Sequence, residues 1–409
     1  MRKLIDEYGI DLMPIIMKLC ENKALHLGGD ETFFDTAQFL ILMELTSGFI
    51  FTEALVKDRT ESTWKKHTDK FFIFFKNIAS FISDGGKVLV NLGKSIGNNG
   101  MDLFHILQDM RRLFATKFNS KRRALIAQLN KLKKNTQIAQ EDKLAHESAI
   151  EKKLKVLDWG QKTYREGLFA ISILVHPFKN ICEINSSNDL QVHLNEYVII
   201  LESVKMACEI NDKDGLIARI KNRVDPLSTL NDLWHSWVIA SLESKTDDEV
   251  TREWANNVLL PYYYWLWQLK KSKRKKRLRL YYQQVVAIAC ERLHAHPLTQ
   301  EKLTRYWINW AQAMARKYQR TTSAIEGRNA RLSHYYFSTR GVKSSHVNSL
   351  TVLHNFWITR DDGTSAAKRL CGLDPPDLFE WLLERMKTIP LPRRRMQIND
   401  SVYSESLVA

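Results

Sequence analysis

Cysteine is scarce and scattered in this chain of 409 residues. The five present (Cys20, Cys182, Cys208, Cys290 and Cys371) include no C-x-x-C pair. An odd number at such wide spacing leaves neither a disulfide framework nor a cysteine-ligated zinc site, and a reducing cytoplasmic setting is expected. Also missing is any apolar run of the roughly 18–20 residues that span a bilayer. The N-terminal MRKLIDEYGIDLM carries acids where a secretory signal needs an apolar stretch. A soluble, unexported protein with no membrane partner is expected. There is no G-x-x-x-x-G-K-[ST] loop and no H-E-x-x-H, so ATPase and zinc protease chemistry have no motif to rest on.

Acidic charge is in short supply as well. Lys and Arg number 61 against 46 Asp and Glu, a formal net charge of +15, and the pI is about 9.4. Such an excess favours a polyanionic partner, because neutralising phosphates releases condensed counterions. What the chain does have is a core: 44% of its residues are hydrophobic and 26% charged, which excludes disorder as the main state. The length suits two or three domains, or one domain with a large insertion.

The surplus charge is concentrated at KKSKRKKRLR, in which Lys270, Lys271, Lys273, Arg274, Lys275, Lys276, Arg277 and Arg279 are basic. Eight like charges repel one another, so a phosphate partner is the better reading of this tract. The preceding PYYYWLWQLK places five aromatics between Tyr262 and Trp267. They could stack on bases of single-stranded or distorted DNA, but burial as core is the favoured reading for large aromatics.

Residues 23–58 carry apolar and β-branched runs broken at Gly28-Gly29 and Ser47-Gly48, and two or three antiparallel strands are expected there. Arg59–Ala79 reads as a helix capped by Thr60, followed by a short strand, SFISD, and a further helix. From about Met101 strand signals nearly vanish. Residues 120–157 predict a long helix or a helical hairpin, and 160–320 further amphipathic helices with breaks near His176-Pro177, Asp225-Pro226 and His296-Pro297. A last helix is expected at Asp377–Met386, then a basic tail containing PLPRRR. The expected class is α/β in the mixed α+β sense, with a large, mainly α-helical insertion.

Three acids stand out. Asp30 ends the run ALHLGGD and Asp84 ends FFKNIASFISD, so each would project from the end of a rigid strand. Glu326, in TTSAIEGRNARLSHYY, falls in the first turn of a helix capped by Thr322 or Ser323. Hard Mg²⁺ takes carboxylate oxygens, and three acids on separate elements could hold two ions roughly 3.5–4 Å apart for an in-line phosphoryl displacement. A strand register shifted by one would put Glu31 or Asp35 in place of Asp30. Asp102 and His105 could orient a water or phosphate, or be a local pair on a surface turn. Arg328 faces away from Glu326 while Asn329 shares its face, and Arg328, Asn329 and Arg331 are candidate DNA contacts. His334 and Tyr335-Tyr336 read as core or helix-surface residues.

With these residues in place, a resemblance becomes specific. GGDETFF followed by LILMELTSGFIFTEALVKDRTESTW, then ISDGGKVLVNLG and MDLFHILQDMRRLF, resemble the first strands and second-acid segment of DDE-type bacterial insertion-sequence transposases. SAIEGRNARLSHYYFSTRGVKSSHVNSLTVLHNFWITRDDGTSAAKRL is similar to their Glu-bearing helix and its sequel. The resemblance covers residues 23–115 and 318–395. It implies a ribonuclease-H-like core with Asp30, Asp84 and Glu326 as catalytic and metal-binding residues, two Mg²⁺ ions for which Mn²⁺ can substitute, and element-end and target DNA as partners. It further implies a homodimer or higher oligomer on DNA and a nucleoid-associated cytoplasmic location.

The corresponding organisation is an N-terminal helical remnant at 1–22, a core built from 23–115 and 318–372, an insertion with the basic tract at 116–317, and a C-terminal helix with basic tail at 373–409. Such transposases normally carry an N-terminal helix-turn-helix domain, and only 29 residues precede Asp30. Either the copy is truncated or decayed, or end recognition has moved to the basic insertion. Three activities stay open: metal-dependent strand cleavage and transfer, DNA binding by a non-catalytic remnant, and cleavage without joining by a ribonuclease-H-like nuclease.

Overall fold

In the computed structural model, residues 5, 9–35, 37–96, 99–134, 139–212, 215–318, 322–360 and 362–386 are described; the basic tail at 390–395 lies outside them. The first strand, β1 (Leu25–Phe34), pairs antiparallel with β2 (Ala37–Glu44), and β2 pairs antiparallel with β3 (Phe49–Val56). β4 (Ile78–Ser83) joins the other side of β1 in parallel, and β5 (Asn99–Asp102) joins β4 in parallel. β6 (Phe178–Lys179) and β7 (Glu183–Ile184) pair with each other. β8 (Leu227–Ser228) adds in parallel to β5, giving a sheet of order β3-β2-β1-β4-β5-β8 among the described residues.

Both faces of this sheet are covered, which is why β2 reads as an unbroken apolar run, FLILM, and not as an alternating one. Leu40 and Leu42 pack on one face with Leu25, Leu27 and Phe81. There they meet α1 (Leu12–Leu19), α2 (Glu61–Phe74) and α3 (Lys87–Ile96) through Leu12, Trp64 and Leu89. Phe39, Ile41 and Met43 point to the other face, where Ile325, Leu332 and Val347 cover them. As expected, Thr60 caps α2, its side chain accepting from the Thr63 amide.

The helical region begins with α4 (Leu103–Arg112). α5 (Lys117–Lys134) and α6 (Gln140–Leu174) follow as the hairpin expected near residues 120–157, then α7 (Ser187–Ala207) and α8 (Leu216–Val224). These share one core around Phe114, Phe118, Tyr164 and Leu201. A second core, rich in tryptophan, joins α9 (Asn231–Glu243), α10 (Glu249–Trp254), α11 (Leu260–Lys271), α12 (Lys276–Ala295), α13 (Pro297–Lys302) and α14 (Arg305–Lys317). Tyr264 and Trp265 belong to it and are fully buried, so the core reading holds for these two and base stacking does not. The chain then returns to the sheet as α15 (Ser323–Thr339) and α16 (Ser344–Val352), and ends in α17 (Ala366–Cys371) and α18 (Leu378–Arg385).

β5 and β8 departed from expectation. Asn99-Gly100-Met101-Asp102 has little intrinsic strand preference, and its extended form comes from hydrogen-bonded neighbours on both sides. Because β8 lies within 116–317, that segment is stitched into the sheet midway along its length. All five cysteines are free thiols, and among the described residues no helix is long and apolar enough to cross a membrane.

Candidate active site

Asp30 projects from β1 on the face covered by α15, as does Gly28 two residues earlier. A Cβ on Gly28 would lie 2.5 Å from Ile325 Cδ1, so the absence of a side chain there lets α15 cross the strand closely. One helical turn beyond Ile325, Asn329 Nδ2 donates to Asp30 Oδ2 at 2.7 Å, and the Glu31 amide donates to Asp30 Oδ1 at 2.8 Å. Glu31 points to the opposite face, where it accepts from Trp64 Nε1 at 2.9 Å. Asp35 lies in the β1–β2 turn at φ +50°. The register therefore selects Asp30 over both neighbours.

Asp84 directly follows β4, whose Ser83 is paired in parallel with Gly29 of β1. Asp84 thus stands at the end of β4 beside Asp30, which, against expectation, does not end its strand: the parallel pairing with β4 stops at Gly29, but β1 runs on to Phe34 in its pairing with β2. Gly85 turns the chain at φ +84°, in the left-handed region that favours glycine, and the Gly86 amide donates to Asp84 Oδ1 at 2.8 Å. Burial, reinforced by the charge of Asp84, pushes the Asp30 carboxyl up to about 7.

A second acidic centre comes from β5. Asp102 caps α4, accepting from the Phe104 amide at 3.1 Å, and takes hydrogen bonds from Thr322 Oγ1 at 2.7 Å and His105 Nδ1 at 3.0 Å. Since Asp102 is fully buried, the surface-turn reading of this pair is corrected: β5 carries Asp102 inside the sheet, and its side chain ties α4 to the start of α15. Thr322 stands at the N-cap position of α15, but its hydroxyl makes this bond to Asp102 and no side-chain cap. Burial acts to lower His105, yet the hydrogen bond and charge of Asp102, with the charges of Asp84 and Asp30, outweigh it and raise the imidazole. Glu326, in the first turn of α15, is raised by burial and by Asp102, against the opposing pull of His105. His105 is therefore electrostatically in touch with Asp30, Asp84, Asp102 and Glu326.

Glu326 also lines a cleft of about 500 Å³. Leu103, Leu107 and Tyr318 also line it, as do Lys271, the last residue of α11, and Lys275, in the turn to α12. That turn is where the basic tract falls. Lys270, Lys271, Lys273, Arg274, Lys275 and Lys276 are exposed. Lys271 also sits over the Trp267 ring at 4.8 Å. Arg277 is exposed but engaged with Glu166 and stacked on Phe169 at 3.8 Å, and Arg279 is half-buried.

The expected contacts on α15 separate. Arg331 is exposed. Arg328 is 5% exposed and forks onto Glu53 of β3, Nε to Oε1 at 2.7 Å and NH2 to Oε2 at 2.5 Å; its reading as a DNA contact is corrected, because the guanidinium is buried in an ion pair. Asn329 is half-buried and holds Asp30. His334 is exposed, and Tyr336 packs against Phe34.

Among the described residues no group of three or more His, Cys, Asp or Glu side chains is gathered closely enough to hold a metal ion as they stand. The donors nevertheless suit a hard cation. They are oxygen atoms, Asp30 is desolvated beside a second carboxylate, and Asn329 Oδ1 is buried with no hydrogen-bond partner among the described residues. Sequence reasoning missed the part played by Asp102, although an Asp directly before an amphipathic helix is an N-cap signal.

Residues 255–398 match a family described as a family of unknown function (DUF6399). The match takes in the basic turn, Glu326 and Asn329, and stops short of Asp30 and Asp84. No curated protein matches the chain.

Proposed function

We propose that the chain is a DDE-type transposase: a ribonuclease-H-like core that cleaves DNA strands at element ends and transfers them, in a metal-dependent reaction. The observation that carries this reading is the placement of Asp30, on β1, beside Asp84 at the end of the parallel neighbour β4, with Glu326 on the helix that covers this face and lining a cleft shared with Lys271 and Lys275. The sheet supports it as well, an antiparallel meander continued by parallel strands. Asp30, Asp84 and Glu326 are the oxygen donors that would hold two Mg²⁺ ions, with Mn²⁺ as a substitute.

When bound, such ions supply an activated nucleophile and stabilise charge on the attacking and leaving oxygens of an in-line displacement. The chain's own residues do the positioning. Asn329 fixes the Asp30 carboxylate, Asp102 orients His105, and Gly28 lets α15 lie close enough to β1 for Asn329 to reach Asp30. Lys271 and Lys275, which line the cleft, and the exposed Lys273 and Arg274 between them receive the DNA backbone. Asp30→Asn, Asp84→Asn and Glu326→Gln should each lower cleavage of supercoiled element DNA at least about 100-fold while DNA binding persists. Mn²⁺ should replace Mg²⁺, and Ca²⁺ should support binding with little cleavage. Nicking that survives in all three variants would place the chemistry elsewhere. DNA binding without nicking by the unaltered chain would favour a non-catalytic remnant, and nicking without end joining a nuclease.

A further inference from the structure

Away from the acids, the ends of two helices bring two thiols together. Cys20 immediately follows α1, Cys371 is the last residue of α17, and their Sγ atoms are 3.4 Å apart across a sequence separation of 351 residues. Their surroundings differ. Cys20 is 1% exposed, whereas Cys371 is half-buried beside Gly372, which ends α17 at φ +74° and is exposed. Lys23 Nζ donates to the carbonyl of Leu370, which sets an ammonium beside Cys371. Hydrogen bonding from Cys20, aided by Lys23 and opposed by burial, lowers the Cys371 thiol, while the same hydrogen bond and burial raise Cys20. Cys371 is thus the more exposed and the more thiolate-prone of the two, and Cys20 is hidden within reach of it, the arrangement of an attacking and a resolving cysteine.

We propose that Cys371 and Cys20 form a peroxide-reactive dithiol that closes to a disulfide between α1 and α17. In the first step the Cys371 thiolate attacks hydrogen peroxide: an S–O bond forms, the O–O bond breaks, and hydroxide leaves as water after taking a proton. In the second, Cys20 sulfur, giving up its proton, attacks the Cys371 sulfenic acid; the S–S bond forms, the S–O bond breaks, and a second water departs. Two thiols lose two electrons in total and one peroxide becomes two waters. The bond ties the helix before β1 to the helix after α16, and so closes a loop around nearly the whole chain in the unfolded state.

The full chain, reduced and then titrated with hydrogen peroxide, should lose two hydrogen atoms in intact mass. Alkylation followed by peptide mapping should find Cys20 linked to Cys371, with Cys182, Cys208 and Cys290 still alkylated, and the oxidised protein should melt several degrees higher until a dithiol reductant reverses the change. In Cys20→Ser, Cys371 should stop at sulfenic acid and be trapped by a 1,3-diketone probe. In Cys371→Ser, Cys20 should remain reduced. The mapping on unaltered protein does not depend on either variant folding. Both thiols remaining alkylatable, a crosslink to one of the other three cysteines, or Cys371 passing to sulfinic acid with Cys20 untouched would each overturn the proposal.

Discussion

Asp30 carries a proton where an ordinary aspartate would not, held near 7 by burial and by Asp84. Between pH about 4 and about 7 the unfolded chain has released this proton and the folded chain has kept it, so stability without divalent cations should fall as pH rises across that window and level off above it. The size is on the order of 4 kcal/mol. Asp30→Asn should flatten the profile, as read by urea denaturation at several pH values in a chelating buffer. Arg328 and Glu53 form a second buried pair of measurable weight. With side-chain exposures of 5% and 0%, and with Thr351 also donating to Glu53, removing one partner leaves the other charge buried. Arg328→Ala should cost about 3–5 kcal/mol in chemical denaturation. Asp84 and Glu326 could be nominated from the sequence because each has a local setting, a strand end or a first helical turn; Asp30 is nominated by the apolar run before it, although β1 continues past it to Phe34. The fates of Arg328 and Asp102 could not, since whether a charge is buried depends on β3 and β5 lying beside segments hundreds of residues away.

Among the elements, α15 is the piece on which the site depends, and its approach to β1 is set by Gly28. A Cβ there meets Ile325 Cδ1 at 2.5 Å and Leu45 Cδ2 at 2.6 Å, so Gly28→Val should lift the helix and lose about 1–3 kcal/mol to overpacking. Cleavage should fall with it, although Gly28 touches no reacting group. Ile325→Ala in the same chain should recover part of both losses, and a double-mutant cycle in which the two changes simply add would refute this close approach as the cause. Strands β1 to β4 and the capped α2 were legible because apolar runs, glycine breaks and a Thr cap are local signals. β5 and β8 were not, because their strand form is imposed by neighbouring strands.

The molecule as a whole is basic, and Lys271 and Lys275 of its exposed tract line the same cleft as Glu326. Replacing Lys271, Lys273, Arg274 and Lys275 by Ala should flatten the slope of log K against log salt for duplex DNA by about 0.9 for each phosphate that is no longer neutralised. Arg277→Ala, which removes a charge already engaged with Glu166 and Phe169, should change it by less than one quarter of that amount. Salt titrations of both variants check this, and equal slopes would reduce the tract to a solvated face.

The stitching of β8 into the sheet and the late return of α15 also fix a timetable. β1 to β4 are made early, yet one face of their sheet is closed by Ile325, Leu332 and Val347, which the ribosome adds some 300 residues later. At the usual 5–20 residues per second, that leaves an apolar sheet face without its native cover for on the order of 15–60 s in every round of synthesis. During that interval the nascent chain is a client for any holdase that binds apolar strands, and crowding on a polysome works against it. Slow decoding between codons 230 and 320 should therefore lower soluble yield, and faster decoding of the same stretch should raise it.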